Sequence, residues 1–188
     1  MHKPAFLITI DTEGDNLWQK HDSITTENAR YLPRFQQLCE KYGFKPVWLT
    51  NYEMAIDPVY IEFAKDAIAR GTAEIGMHLH AWNSPPTDPL TDDDWRHKPY
   101  LIEYSDAAMR AKVDYMTRLL EDTFQTKMVS HRAGRWAFDE RYARLLVEYG
   151  YLVDCSVTPR VNWKDGERRA AGRRRYRLPS FPAARLFS

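Results

Sequence analysis

Short apolar runs alternate along the chain with longer stretches in which apolar residues recur every three or four positions. Residues 5–10, 46–50, 73–79, 127–131 and 151–155 read as short buried strands, being apolar, β-branched or aromatic and too brief for helices. Between them, Phe35, Leu38, Cys39 and Tyr42 repeat at helical spacing, as do Tyr60, Phe63, Ala64, Ala67 and Ile68. A longer helix carries Met109, Val113, Met116, Leu119, Leu120 and Phe124, and another carries Phe138, Tyr142, Leu145, Leu146 and Tyr149. Gly43, Gly71 and Gly150 stand where a helix end wants a left-handed residue, and Asp57-Pro58 and Ser105 suit helix starts. Strand and helix thus alternate about five times, which predicts an α/β fold of parallel strands with crossover helices, either a β/α barrel or an open doubly wound sheet. Residues 81–104, rich in Pro, Asp and aromatics, form a long connection that Trp82, Trp95, Tyr100 and Leu101 mark as an ordered loop over a site.

Composition narrows the picture. The 188 residues suffice for one domain. The net charge of +1 hides a division: residues 166–188 carry seven arginines against the single Glu167, leaving residues 1–165 mildly acidic. Residues 1–165 are therefore read as the β/α domain and 166–188 as an Arg-rich tail, disordered or non-native. An acidic body offers no general case for nucleic-acid binding. No stretch has the apolar length of a membrane span, and the N-terminus enters a strand directly, so a cytoplasmic protein with no membrane partner is expected. Cys39 and Cys155, each within an apolar pattern, fit reduced, buried thiols.

Polar outliers fall at the strand ends. Asp11 and Glu13 end the first strand, Thr50 and Asn51 the second, His78 and His80 the third and Arg132 the fourth, with Asp154 near the end of the fifth. In β/α folds these carboxyl ends form the rim on which sites are built. Residues two apart on a strand share a face, so Asp11 pairs with Glu13 and His78 with His80. Two imidazoles plus a carboxylate from a neighbouring strand supply three ligands and leave a position for water, as in a catalytic Zn²⁺ site, with Co, Ni or Mn as other divalent ions. The remaining carboxylate is then placed to act as a base. Each residue also has a plain structural reading, as a polar turn, a surface charge or a core aromatic; gathered at one rim, a site is the better reading. Asn51, Trp82, Arg135 and Trp136 are the candidate substrate contacts there.

The segments ITIDTEGD, EIGMHLHAW and SHRAGRWAF, in this order at these strand ends, resemble the first three motifs of the polysaccharide deacetylase superfamily, the NodB-homology or carbohydrate esterase family 4 fold. The wording is nearest to a WalW-type branch associated with lipopolysaccharide biosynthesis. The resemblance implies an irregular β/α barrel, here incomplete at its C-terminus, and metal-dependent removal of N- or O-acetyl groups from sugars. It implies Asp11 as general base, Glu13 as the metal-binding carboxylate with Asp15 as alternate, Arg132 as the residue orienting the base, and Trp136 as an aromatic wall. The family's second motif histidine falls on Trp82 here, so His80 takes its place as ligand. The family's general acid is a late histidine, and this chain has none after His131; His97 or His131 would have to serve.

Three functions follow as expectations: a metal-dependent deacetylase of an acetylated sugar, a hydrolase of a small non-sugar C–N bond, and a sugar-binding or assembly protein that has lost turnover. A barrel lacking its last strands also predicts dimerisation through the open side, or aggregation.

Overall fold

The computed structural model describes residues 5–18 and 23–157. Its centre is a wholly parallel sheet whose strands lie side by side in chain order: β1 (Thr9–Thr12), β2 (Val47–Thr50), β3 (Glu74–Leu79), β4 (Ser130–Ala133) and β5 (Val153–Asp154). The crossovers contain α1 (Leu32–Lys41), α2 (Tyr52–Ala55), α3 (Pro58–Ala69), α4 (Asp94–His97), α5 (Asp106–Phe124) and α6 (Glu140–Glu148). Among the described residues the sheet runs from β1 to β5 without closing. It is nevertheless curled, because Arg132 on β4 reaches past two strands to bond Asp11 and Thr9 on β1. The 166–188 segment and the boundary at residue 165 lie outside the described residues.

The helix starts follow local chemistry. Asp57 caps α3 by accepting from the Tyr60 amide at 2.7 Å, with Pro58 in the first turn, and Ser105 caps α5 through the Ala108 amide. Gly43, Gly71 and Gly150 all have positive φ after their helices.

Strand alternation sorts the side chains. Trp48, Ile75, Met77 and Leu79 pack with Tyr60, Phe63 and Ala64 of α3 and Met109, Val113, Met116 and Leu120 of α5 in one core. The intervening positions face the other way, and in register they place Asp11 beside Leu49 and His78 beside Arg132. The helix-facing side thus buries the apolar surface, and the inner side holds the polar groups.

Two expectations are corrected here. The first and fourth strands begin later than residues 5 and 127, so Asp11 and Arg132 lie within strands; Phe6 and Leu7 are largely exposed and the β2 ladder is entered only at Ile8. The α1 stripe of Phe35, Leu38, Cys39 and Tyr42 is a core face only in part: Cys39 is buried and Phe35 packs edge-on against Trp48 of β2, whereas Leu38 and Tyr42 are exposed and Gln36 is buried. Gln36 is turned inward because it bonds the Trp48 indole and the Thr72 carbonyl. Cys155 is only partly buried, and both cysteines are free thiols.

The 81–104 connection is ordered by a buried cation. Lys112 of α5 is 2% exposed, and its Nζ donates to the carbonyls of Ser84 at 2.6 Å and Pro86 at 2.7 Å. Lys112→Met should leave both carbonyls without a donor, lowering stability by about 2 kcal/mol and speeding proteolytic cleavage within 81–104. Urea unfolding and limited proteolysis check this; an unchanged cleavage rate would mean that the loop is ordered by its other contacts. No helix among the described residues is long and apolar enough to cross a membrane.

Candidate metal centre

The polar inner ends of β1 and β3 meet in one cluster. Glu13 Oε1 lies 2.8 Å from His78 Nε2 and 2.7 Å from His80 Nε2, and the two imidazole nitrogens are 3.0 Å apart. Glu13 stands one residue past β1 and His80 one past β3, so both project from the strand ends at the level of His78. Both histidines are buried.

The hydrogen-bond pattern defines what the cluster lacks. His78 Nδ1 is 2.8 Å from the Arg132 carbonyl, which only accepts, so Nδ1 carries a proton and, in the neutral ring, Nε2 is the nitrogen that can ligate. That Nε2 lies 2.8 Å from Oε1 of the Glu13 carboxylate, itself an acceptor. His80 is kept neutral, its pKa lowered to about 4 chiefly by burial, and its Nδ1 is buried without a partner. Two imidazole nitrogens and a carboxylate oxygen converging at one point are a donor set that a cation between them would satisfy. The mutual separations are a little under the about 3.4 Å edge of a tetrahedron with 2.1 Å bonds to the metal. Two imidazoles and a carboxylate are a borderline N/O donor set suited to Zn²⁺, and the His78–carbonyl bond is the outer support such ligands usually have. The residues fit a divalent ion, and among the described residues this is the one group of its kind.

Asp11 and Arg132 flank the cluster. Arg132 donates from Nη1 to Asp11 at 2.5 Å, from Nη2 to Thr9 at 2.7 Å and from Nε to the Cys155 carbonyl at 3.0 Å. Thr9 and Asp11 share one face of β1, and a single guanidinium bonds both. Asp15, the alternate ligand, is not in the cluster: it is exposed and bonds Thr25 and the Asn28 amide. The local turn, not the rim, uses its charge.

Of the candidate substrate contacts, Trp82 and Arg135 are brought to the cluster. Trp82 packs edge-on against His80 at 4.4 Å between ring centroids, and the Arg135 guanidinium lies 5.1 Å from the Trp82 ring. Asn51 is fully buried instead, capping α2 and bonding Glu53, because the β2 end turns directly into that helix. Trp136 is on the exposed side of the same turn, where Arg135 and Trp136 both adopt left-handed backbone at φ 53° and 57°. Each costs about 1–2 kcal/mol, which the surrounding packing must offset.

Three contributors escaped the sequence reading. Trp18 donates from Nε1 to Glu13 Oε2 at 2.8 Å, so each carboxylate oxygen has its own partner. Glu53 accepts from the Gly14 amide and from Asn83, holding the turn that follows Glu13; burial raises its pKa. Gly134 is the third: a Cβ there would meet the Leu79 carbonyl at 2.6 Å and His80 Nδ1 at 2.7 Å. Gly134→Ala should therefore displace the His80 ring and lower metal occupancy, with little change in helix content, as elemental analysis and circular dichroism would record. Full occupancy in this variant would show that the ring has room to shift. No local signal marked these positions, since each matters through a neighbour distant in sequence.

Neither proposed acid stands open at the cluster. His131 is buried with Nδ1 on Asp154 at 2.7 Å and Nε2 on the Tyr142 hydroxyl at 2.8 Å, and burial lowers its pKa. His97 is exposed at the end of α4.

No family model matches the sequence, and no curated protein matches it. Solved structures do resemble the fold. A candidate polysaccharide deacetylase from Mycobacterium smegmatis superposes with a TM-score of 0.56 at 16% identity, over 79% of this chain and 49% of its own. A CE4 family pseudoenzyme from Bacillus anthracis gives 0.53 at 15% identity, over 79% and 41%. IcaB from Ammonifex degensii gives 0.51 at 15%, over 81% and 61%. The chain thus spans about half the length of the structures it resembles. At these identities what is shared is architecture: the chain has the β/α fold of the CE4 polysaccharide deacetylases.

Proposed function

We propose that the chain is a metal-dependent hydrolase that removes acetyl groups from an N- or O-acetylated sugar. The observation that carries this is the convergence of Glu13, His78 and His80 lone pairs beside the Asp11–Arg132 pair. Glu13, His78 and His80 are the residues that hold the ion, proposed to be zinc, and a divalent ion there supplies Lewis acidity towards a carbonyl and a water. Asp11 takes the proton of the attacking water, and the bond from Arg132 keeps its carboxylate aimed. Trp18 fixes the second Glu13 oxygen, and Trp82 walls the His80 side against solvent. The CE4 fold supports this reaction class. The WalW-type wording of the three motifs supports a lipopolysaccharide-type glycan as substrate, and two unpaired cysteines support a cytoplasmic setting.

A second reading has its own support: a carbohydrate-binding protein without turnover, favoured by the closed bonding of His131. One neighbour in fold is itself described as a pseudoenzyme. Acetate release from acetylated chito-oligosaccharides with added Zn²⁺, abolished by chelation, decides between them. Binding of the oligosaccharide with no acetate released would establish the second reading, and release only from a panel of small amides would redirect the first to non-sugar C–N bonds.

A further inference from the structure

Arg135 is a charge without a counter-charge. Its guanidinium centre lies 5.1 Å from the Trp18 ring, 5.1 Å from Trp82 and 5.6 Å from Trp95, so one indole from the turn after β1 and two from the 81–104 loop surround it. Its Nη2 has a 3.3 Å bond to the Trp95 carbonyl, and its Nε is buried with no acceptor. The Tyr100 side chain is a further hydrogen-bond partner, and no carboxylate pairs with Arg135 among the described residues. The absence is not for lack of candidates. The 81–104 loop supplies Asp88, Asp92, Asp93 and Asp94, which with Trp82 and Trp95 line a hollow of about 340 Å³; Arg135 is not among the residues lining it.

Its position is tied to the donor cluster. Arg135 follows Gly134, whose backbone packs on the His80 ring, and Trp18 and Trp82 each touch both Arg135 and His80. Cation–π contacts orient a guanidinium but leave its in-plane N–H donors without acceptors. A planar fork of donors with weakly used hydrogens is matched by a carboxylate or a phosphate.

We propose that Arg135 determines specificity by binding an oxyanion, carboxylate or phosphate, carried by the acetylated substrate. The substrate class is thereby an acidic acetylated sugar, an assignment that rests on the hydrolase reading above. The aromatic walls stack the sugar while the guanidinium selects its charge.

The test uses three matched probes: N-acetylglucosamine, its 6-phosphate and its 6-carboxylate. Binding is read from intrinsic tryptophan fluorescence, which three rings around Arg135 make sensitive and which needs no turnover. The two anionic probes should bind wild type about tenfold or more tighter than the neutral sugar at low salt, with the advantage shrinking as salt rises. Arg135→Gln should erase that advantage, and Arg135→Lys should keep only part of it, because a point charge replaces the fork. Preference for one anion over the other identifies the group and supports the proposal equally. Equal affinity for all three probes, no binding of any, or an anion advantage that survives in Arg135→Gln would overturn it. If Arg135→Gln does not fold, the wild-type salt dependence decides alone: an anion advantage indifferent to salt rejects the proposal. Selective binding without acetate release would keep Arg135 as the anion-binding residue of a sugar-binding site and remove the hydrolase reading; acetate release with equal affinities would keep the hydrolase and overturn the role of Arg135.

Discussion

His78→Ala and His80→Ala should each lower divalent-metal affinity by about 100-fold or more, since even outer supports of a metal site are worth roughly 10–100-fold. The three donors lie within hydrogen-bond distance of one another, so removing one leaves a two-ligand remnant that does not retain an ion through dialysis. The expected readout is near-stoichiometric zinc in wild type and a small fraction of that in either variant. Both side chains are buried, so each substitution also opens a small cavity and should reduce stability by roughly 1–3 kcal/mol without unfolding the sheet. Chemical denaturation separates this from metal loss. Equal metal content in wild type and both folded variants would remove the metal centre from the account.

Asp11→Asn should spare the metal and cost turnover about 10²–10⁴-fold, the usual worth of general-base catalysis. Asparagine keeps the shape and still offers an oxygen to Arg132 Nη1, so the local geometry is preserved while the basic group is lost. Asp11 is not among the three converging donors, which is why metal content should be unchanged. Metal lost along with activity would make Asp11 a ligand and leave the base to another group.

What a residue does through its own chemistry and its immediate spacing was legible in the sequence. Apolar period and end signals placed the five strands and α1, α3, α5 and α6, but not the single-turn α2 and α4, because ladders, caps and long apolar stripes are local signals and a four-residue helix has no period to read. His78 and His80, and Asp11 and Glu13, were paired because strand geometry puts positions two apart on one face. The alternation of strand and helix implied a parallel sheet, hence a common rim for all these groups.

The tertiary structure decided which of these groups meet. Glu13 rather than Asp15 joins the histidines because Asp15 is drawn into bonds with Thr25 and Asn28, a competition invisible in spacing. Arg132 reaches β1 only because the sheet curls, and curvature is a property of the assembled strands. His131 is locked by Asp154 and Tyr142, and Asn51 by Glu53, since burial obliges polar atoms to find partners wherever the fold supplies them. The same rule accounts for Arg135: three tryptophans distant in sequence converge on it, and only their convergence shows that the charge is enclosed and unpaired. Sequence determined the kinds of groups and their faces; long-range packing determined their partners, because contact energies depend on which faces the fold brings together.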